Sequence, residues 1–361
     1  MNGAKVLKNA GFRGFFPPIK SGWIIVLGIL VLFLLTVGSC FSNNNSPSSR
    51  RKKMPVIFDT DIGGDIDDTW ALIMLLQSPE LDIKLVTTSV GDTFAKAKIV
   101  ARILQIAGRS DIPVGIGLRH NENGHRQNEW VKDYKLSSYP GTIHQDGVQA
   151  LIDTIMKSPQ PITVIAVGPL PNIAAALQRE PRIADKARFV GMHGSIRRGY
   201  NGSPKPSAEY NVRAYAKEAQ KVFTARWNMT ITPLDTCGIV QLKGSKYQKV
   251  FKRNSPLTRA LIENYRAWQK AGVLNEHKDL SEAEVNKRVD NKVNSSSTTL
   301  FDTVGIYLAI STKLVRMEKL GIRVTDDGYT VIDNKAKTIN CATEWKDLSA
   351  FEDFLVARLT K

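Results

Sequence analysis

The stretch Val56–Met74 constrains this chain more than any other. Val56-Ile57-Phe58 runs straight into Asp59-Thr60-Asp61; glycines follow at 63 and 64; Asp65, Asp67 and Asp68 come next, and an apolar run resumes at Trp70. This reads as a buried strand, a tight turn and a helix, with acids gathered where the strand ends. Carboxylates this close repel one another, and burying each unpaired costs several kcal/mol. A bound cation removes that cost. Oxygen donors suit a hard ion, Ca²⁺ or Mg²⁺, and no neighbouring Cys or His argues for zinc. Acidic helix caps account for one or two such residues, not for a cluster opening on an apolar strand.

The chain repeats this pattern. Residues 82–90 read as a strand, Thr93–Ala107 has helical spacing closed by Gly108, and Asp111–Gly115 begins another strand. Strand, helix, strand at this pace predicts parallel βαβ units, hence an α/β fold with an open, mostly parallel sheet flanked by helices. Ligands in such sheets sit beyond the carboxyl ends of strands, where Asp61 and Asp92 both lie. Residues 119–146 form a long polar loop, and 243–299 are mostly helical. The final 45 or so residues suggest hairpin strands and a closing helix. With 361 residues, 42% of them hydrophobic, the chain can build a sizeable core. One domain from 54 to 361 is expected.

The charge of +16 is unevenly spread. Lys5, Lys8, Arg13, Lys20 and the run Arg50–Lys53 precede the first acid. The remainder is still basic, but no Lys/Arg block with interleaved aromatics appears, so nucleic acid is not an expected partner. Residues 1–22 are basic and polar, and Trp23–Val37 is apolar but short for a spanning helix. It ends Val37-Gly38-Ser39-Cys40, similar to a bacterial lipobox. Residues 1–40 are therefore expected to be a signal peptide with lipidation at Cys40, or an uncleaved membrane anchor. Residues 41–53 read as a linker. Either way the body would be exported, tethered to the bacterial envelope and facing the periplasm or exterior. Cys237 and Cys341 could pair there, although two buried free thiols are the simpler expectation.

The acidic stretch resembles the Asp-x-Asp-Pro-Gly-x-Asp-Asp-Ala signature of the inosine/uridine-preferring nucleoside hydrolases, with Asp59, Asp61, Asp67 and Asp68 in the acidic positions. Ile62 replaces the Pro, and two inserted residues make Asp65 an extra acid. The Asp-x-Asp of haloacid-dehalogenase phosphatases also follows an apolar strand, but Ile62-Gly63-Gly64 stands where that family has Gly-Thr. Further matches follow in the nucleoside hydrolase order: His144-Gln145-Asp146-Gly147, Gly168-Pro169-Leu170-Pro171-Asn172 after an apolar strand, Ala208-Glu209-Tyr210-Asn211, and Phe301-Asp302 where the family has His-Asp.

The resemblance implies an N-glycosyl hydrolase of ribonucleosides or related N-ribosides that yields ribose and free base. It implies a cation, Ca²⁺ ahead of Mg²⁺, held by Asp61, Asp68, Asp302 and the Val167 carbonyl. Asp61 would also take a proton from water, and Asp67, Asp92, Met192, Glu209 and Asn211 would hold the sugar. Phe301 would lie against the base. It removes the family's leaving-group acid, for which His193, beside Met192, is the first candidate; His120, His125 and His144 are others, and Trp70 or Trp130 could assist by stacking. A homodimer or homotetramer is also implied. Two other readings stay open: a non-catalytic riboside-binding lipoprotein on the same scaffold, and a hydrolase of a non-nucleoside substrate.

Overall fold

The computed structural model describes residues 53–120 and 125–361. The expected leader, Cys40 and residues 41–52 of the expected linker lie outside the described residues, as does the short piece 121–124 of the polar loop. Residues Lys52–Lys361 form one compact unit. Among the described residues, no helix is long and apolar enough to cross a membrane.

Ten strands build one sheet: β1 (Met54–Thr60), β2 (Leu81–Thr88), β3 (Val114–Ile116), β4 (Ile143–His144), β5 (Ile162–Ala166), β6 (Ala187–Met192), β7 (Met229–Thr232), β8 (Val315–Val324), β9 (Thr330–Ile332) and β10 (Thr338–Trp345). Their order is β4-β3-β2-β1-β5-β6-β7-β10-β8-β9. Every pairing is parallel except those of β8, which runs antiparallel to β10 and β9.

β1 shows why the sheet is doubly covered. Val56 and Phe58 enter one hydrophobic cluster and Ile57 the cluster on the opposite face. A strand buried on both sides reads as a continuous apolar run, which is what Val56-Ile57-Phe58 is. β1 pairs with β2 on one side and β5 on the other. The strand order therefore runs outward in both directions from the β1/β5 pair. The carboxyl ends of these two strands form the crevice in which open α/β sheets bind ligands.

Two helices point their first turns at that crevice. Asp67–Leu76 follows β1, and Phe301–Ile310 packs beside it through an apolar face that includes Val304 and Ile306. The expected helical region contains Gly244–Phe251, Pro256–Glu276 and Glu282–Val293, the last two started by capping boxes at Ser255 and Ser281. Pro256–Glu276 crosses the site, with Tyr265 packed edge-on against Trp70 at 6.4 Å. Leu348–Leu359 closes the chain as a helix. Cys237 and Cys341 are both buried and unpaired.

Candidate active site

A cavity of about 340 Å³ opens at the β1/β5 crevice. Its acidic side holds Asp61, Asp67, Asp68 and Asp302, beside Val167 at the end of β5. Met192, Glu209 and Asn211 form a second side; Tyr200, Tyr210 and Phe301 a third; Gly64, Asp65, Arg126 and Trp268 a fourth.

The acids arrive by local chain logic. β1 ends at Thr60, whose hydroxyl donates to Asp68 and whose oxygen accepts the Ile62 amide at 3.1 Å. The chain then turns through Gly63 at φ +104°, a conformation glycine adopts without strain. Asp67 and Asp68 occupy the first turn of their helix, and Asp302 the first turn of Phe301–Ile310. The Asp302 amide donates to Asp67 Oδ2 at 3.3 Å. Two helix starts are thus locked together by one carboxylate.

Asp67, Asp68 and Asp302 each offer an oxygen within 4.8 Å of the others, and all three are buried. Burial and mutual repulsion push all three carboxyl groups well above the usual carboxylate range. Burial also raises Asp61, opposed by the charge of Lys96. The Lys96 ammonium is buried behind the cluster and donates to the Asp61 carbonyl at 2.7 Å and the Ser89 carbonyl at 3.2 Å. An all-carboxylate donor set under this strain fits a hard divalent cation. The closest trio contains Asp67 in place of Asp61, which lies at the same cavity outside that trio.

The sugar-side residues are clamped from behind. Glu209 caps Tyr210–Arg213: Oε1 accepts the Asn211 amide at 2.7 Å, and Oε2 accepts Gly194 at 2.9 Å and Val212 at 3.2 Å. Burial nevertheless raises its carboxyl to about 7. The Asn211 side-chain amide donates to the carbonyls of Val167 at 2.7 Å and Met192 at 3.1 Å. Its side-chain oxygen stays available to accept from a hydroxyl. Glu209 and Asn211 converge through this helix cap.

Several expected residues sit elsewhere. Asp92 does not line the cavity; its carboxylate caps Thr93–Ile106 through the Ala95 amide at 3.1 Å and pairs with Arg119. The His193 ring is fully buried, not cavity-lining: it packs on Phe189 and Phe223, and Nε2 meets the Gly168 carbonyl at 3.0 Å. Burial lowers its pKa to about 4, so it holds no acidic proton near neutrality. His120 stacks edge-on with Tyr215, and His125 packs on Gly63. Trp70 is core, and Trp130 lies under Arg102. Asp59, the first acid of the motif, ties the sheet together by accepting from Thr87 and, at 2.8 Å, from Asn172. Arg126, Trp268, Tyr200 and Tyr210 line the cavity without having been singled out as site residues from the sequence. The spacing of Tyr265 and Trp268, three apart on one helix, was the only local sign for Trp268, and nothing local marked Arg126.

The sequence profile of the family "Inosine-uridine preferring nucleoside hydrolase" matches residues 56–353. The chain belongs to that family. It is an N-glycosyl hydrolase of the nucleosidase type. It is 30% identical over 223 residues to a pyrimidine-specific ribonucleoside hydrolase of Citrobacter koseri, covering 58% of this chain and 69% of that one. It is 29% identical over 243 residues to a non-specific ribonucleoside hydrolase of Klebsiella pneumoniae, covering 62% and 76%. The fold matches a plant nucleoside hydrolase with a TM-score of 0.68 at 22% identity, over 86% of this chain and 99% of the other. A purine-preferring ribonucleoside hydrolase from Gardnerella vaginalis gives 0.67 at 20% identity, over 85% and 98%. The open, mostly parallel sheet described above is the fold of these nucleoside hydrolases.

Proposed function

We propose that this nucleoside hydrolase cleaves the N-glycosidic bond of ribonucleosides or related N-ribosides in a Ca²⁺-dependent reaction. The buried trio Asp67, Asp68 and Asp302, set beside the clamped pair Glu209 and Asn211, carries this reading. The cation would be held by that trio with Asp61 and the Val167 carbonyl at hand, and when bound it would lower the pKa of a water. Asp61, half-buried with its backbone pinned by Lys96, accepts the proton that the attacking water loses. Glu209 and Asn211 present fixed acceptors to the sugar hydroxyls. The surrounding negative charge favours the positive charge that gathers at the anomeric carbon.

The aromatic wall of Phe301, Tyr200 and Tyr210 favours one alternative, binding without turnover. Tyr200 meets Phe301 edge-on at 6.1 Å, and burial pushes its hydroxyl up to about 12, leaving it a weak acid. Turnover separates the two readings. The full chain is incubated with purine and pyrimidine nucleosides and p-nitrophenyl riboside, with Ca²⁺ or with chelator, and free ribose is assayed. Chelator-sensitive release, lost in Asp61→Asn, is expected. Intact riboside recovered from folded, calcium-loaded protein would overturn the hydrolase reading. Export and anchoring through Cys40 or an uncleaved leader, and assembly as a homodimer or homotetramer, remain part of this proposal and rest on the sequence alone.

A further inference from the structure

When a glycosidic bond breaks, its electron pair leaves on the base. Six acids face the cavity: Asp61, Asp65, Asp67, Asp68, Glu209 and Asp302. All of them, ionised, oppose that charge. Arg126 is the one cation among the described cavity-lining residues. Its guanidinium carbon lies 3.8 Å from the centre of the Trp268 ring. The Trp268 ring N–H donates to the Gly64 carbonyl at 2.9 Å. Gly272, one turn further along the same helix, leaves the space in which the guanidinium rests. The neighbouring Gln127 side chain donates to the Asp65 carbonyl at 3.2 Å. Arg126 is therefore fixed against the inserted turn that leads into Asp67 and Asp68. Its Nε is buried with no hydrogen-bond partner, and its charge reaches the Asp65 carboxyl on the same side of the cavity. A planar fork of donors with an unpartnered Nε, beside an aromatic ring, is suited to a flat, electron-rich ring.

We propose that Arg126 contacts the departing base and stabilises the negative charge that develops on it, supplying by a fixed cation what Phe301 cannot supply by a proton. The proposal rests on the hydrolase reading. The base leaves with the bonding pair as an anion held by Arg126, water oxygen bonds to the anomeric carbon, and the water's proton goes to Asp61. The base anion then takes a proton from solvent. Because guanidinium does not titrate in the working range, no loss of turnover from deprotonation of a leaving-group acid accompanies rising pH.

The test compares the full, calcium-loaded wild-type chain with Arg126→Gln and Arg126→Lys, on uridine, inosine and p-nitrophenyl riboside. Nitrophenolate leaves without help. For Arg126→Gln, kcat on the nucleosides is expected to fall about 100-fold while the nitrophenyl riboside stays within about threefold of wild type. Arg126→Lys should recover part of the loss. Equal losses on all substrates, or none on the nucleosides, would overturn the proposal. Wild-type cleavage of the nitrophenyl riboside alone would also overturn it and leave the hydrolase reading standing. Cleavage of none would remove both.

Discussion

Asp67, Asp68 and Asp302 behave as one unit because each raises the others. In the folded, metal-free protein they bind protons more tightly than in the unfolded chain, where Asp titrates near its ordinary value. A group whose folded pKa is raised contributes stability below its unfolded pKa and loses it as pH rises. Metal-free protein should therefore lose stability from about pH 4 upward, by roughly 1.4 kcal/mol for each unit of upward shift. Calcium should flatten this slope. Asp302→Asn should flatten it without calcium and abolish the calcium response. Thermal melts at pH 5 and pH 7.5, with chelator and with Ca²⁺, test this; a chelated wild type that is equally stable at both values would contradict it.

Single residues also show what could be read beforehand. The acid cluster was legible because no structural cap needs so many carboxylates at one strand end. His193 was misplaced, although the rule against it was available. Neighbours in a strand face opposite sides, so Met192 in the cavity puts the following side chain behind it. Asp92 looked like a sugar-holding residue because it follows β2, yet Asp three residues before an amide at a helix start is an ordinary cap. Arg126 had no comparable signal. Its importance comes from a ring more than a hundred residues away.

At the scale of elements, the site is two helix starts and two strand ends held in register. β5 reaches the acids through Gly168. A Cβ at that position would lie 2.6 Å from Asp61 Oδ1, so only glycine leaves the carboxylate where it is. Gly168→Ala should displace Asp61 and lower kcat about 100-fold, the scale of a 1 Å misplacement, with the fold retained. Steady-state kinetics with a circular-dichroism melt would check it; unchanged kcat would mean that Asp61 tolerates the shift. The strand–helix alternation was readable from apolar periodicity. The cap at Glu209 was not, because an Ala-Glu-Tyr-Asn segment reads equally well as extended chain.

For the whole molecule, residues Lys52–Lys361 make their own compact unit, and all the cavity residues named here lie inside it. A chain beginning at Lys52 should keep wild-type kcat and melt within about 2 °C of the full chain, less than 1 kcal/mol for a domain of this size. A larger drop in either would show that the N-terminal segment supports the fold.

The sheet has a consequence of its own. Ten strands present two open borders, and an open border is a template for another chain. Here the borders are β4, with two residues, and β9, with three. Behind β9, however, residues 315–321 of β8 keep one side without a strand partner. That stretch carries Arg316, Glu318 and Lys319, charges that discourage a second chain from adding to the sheet there.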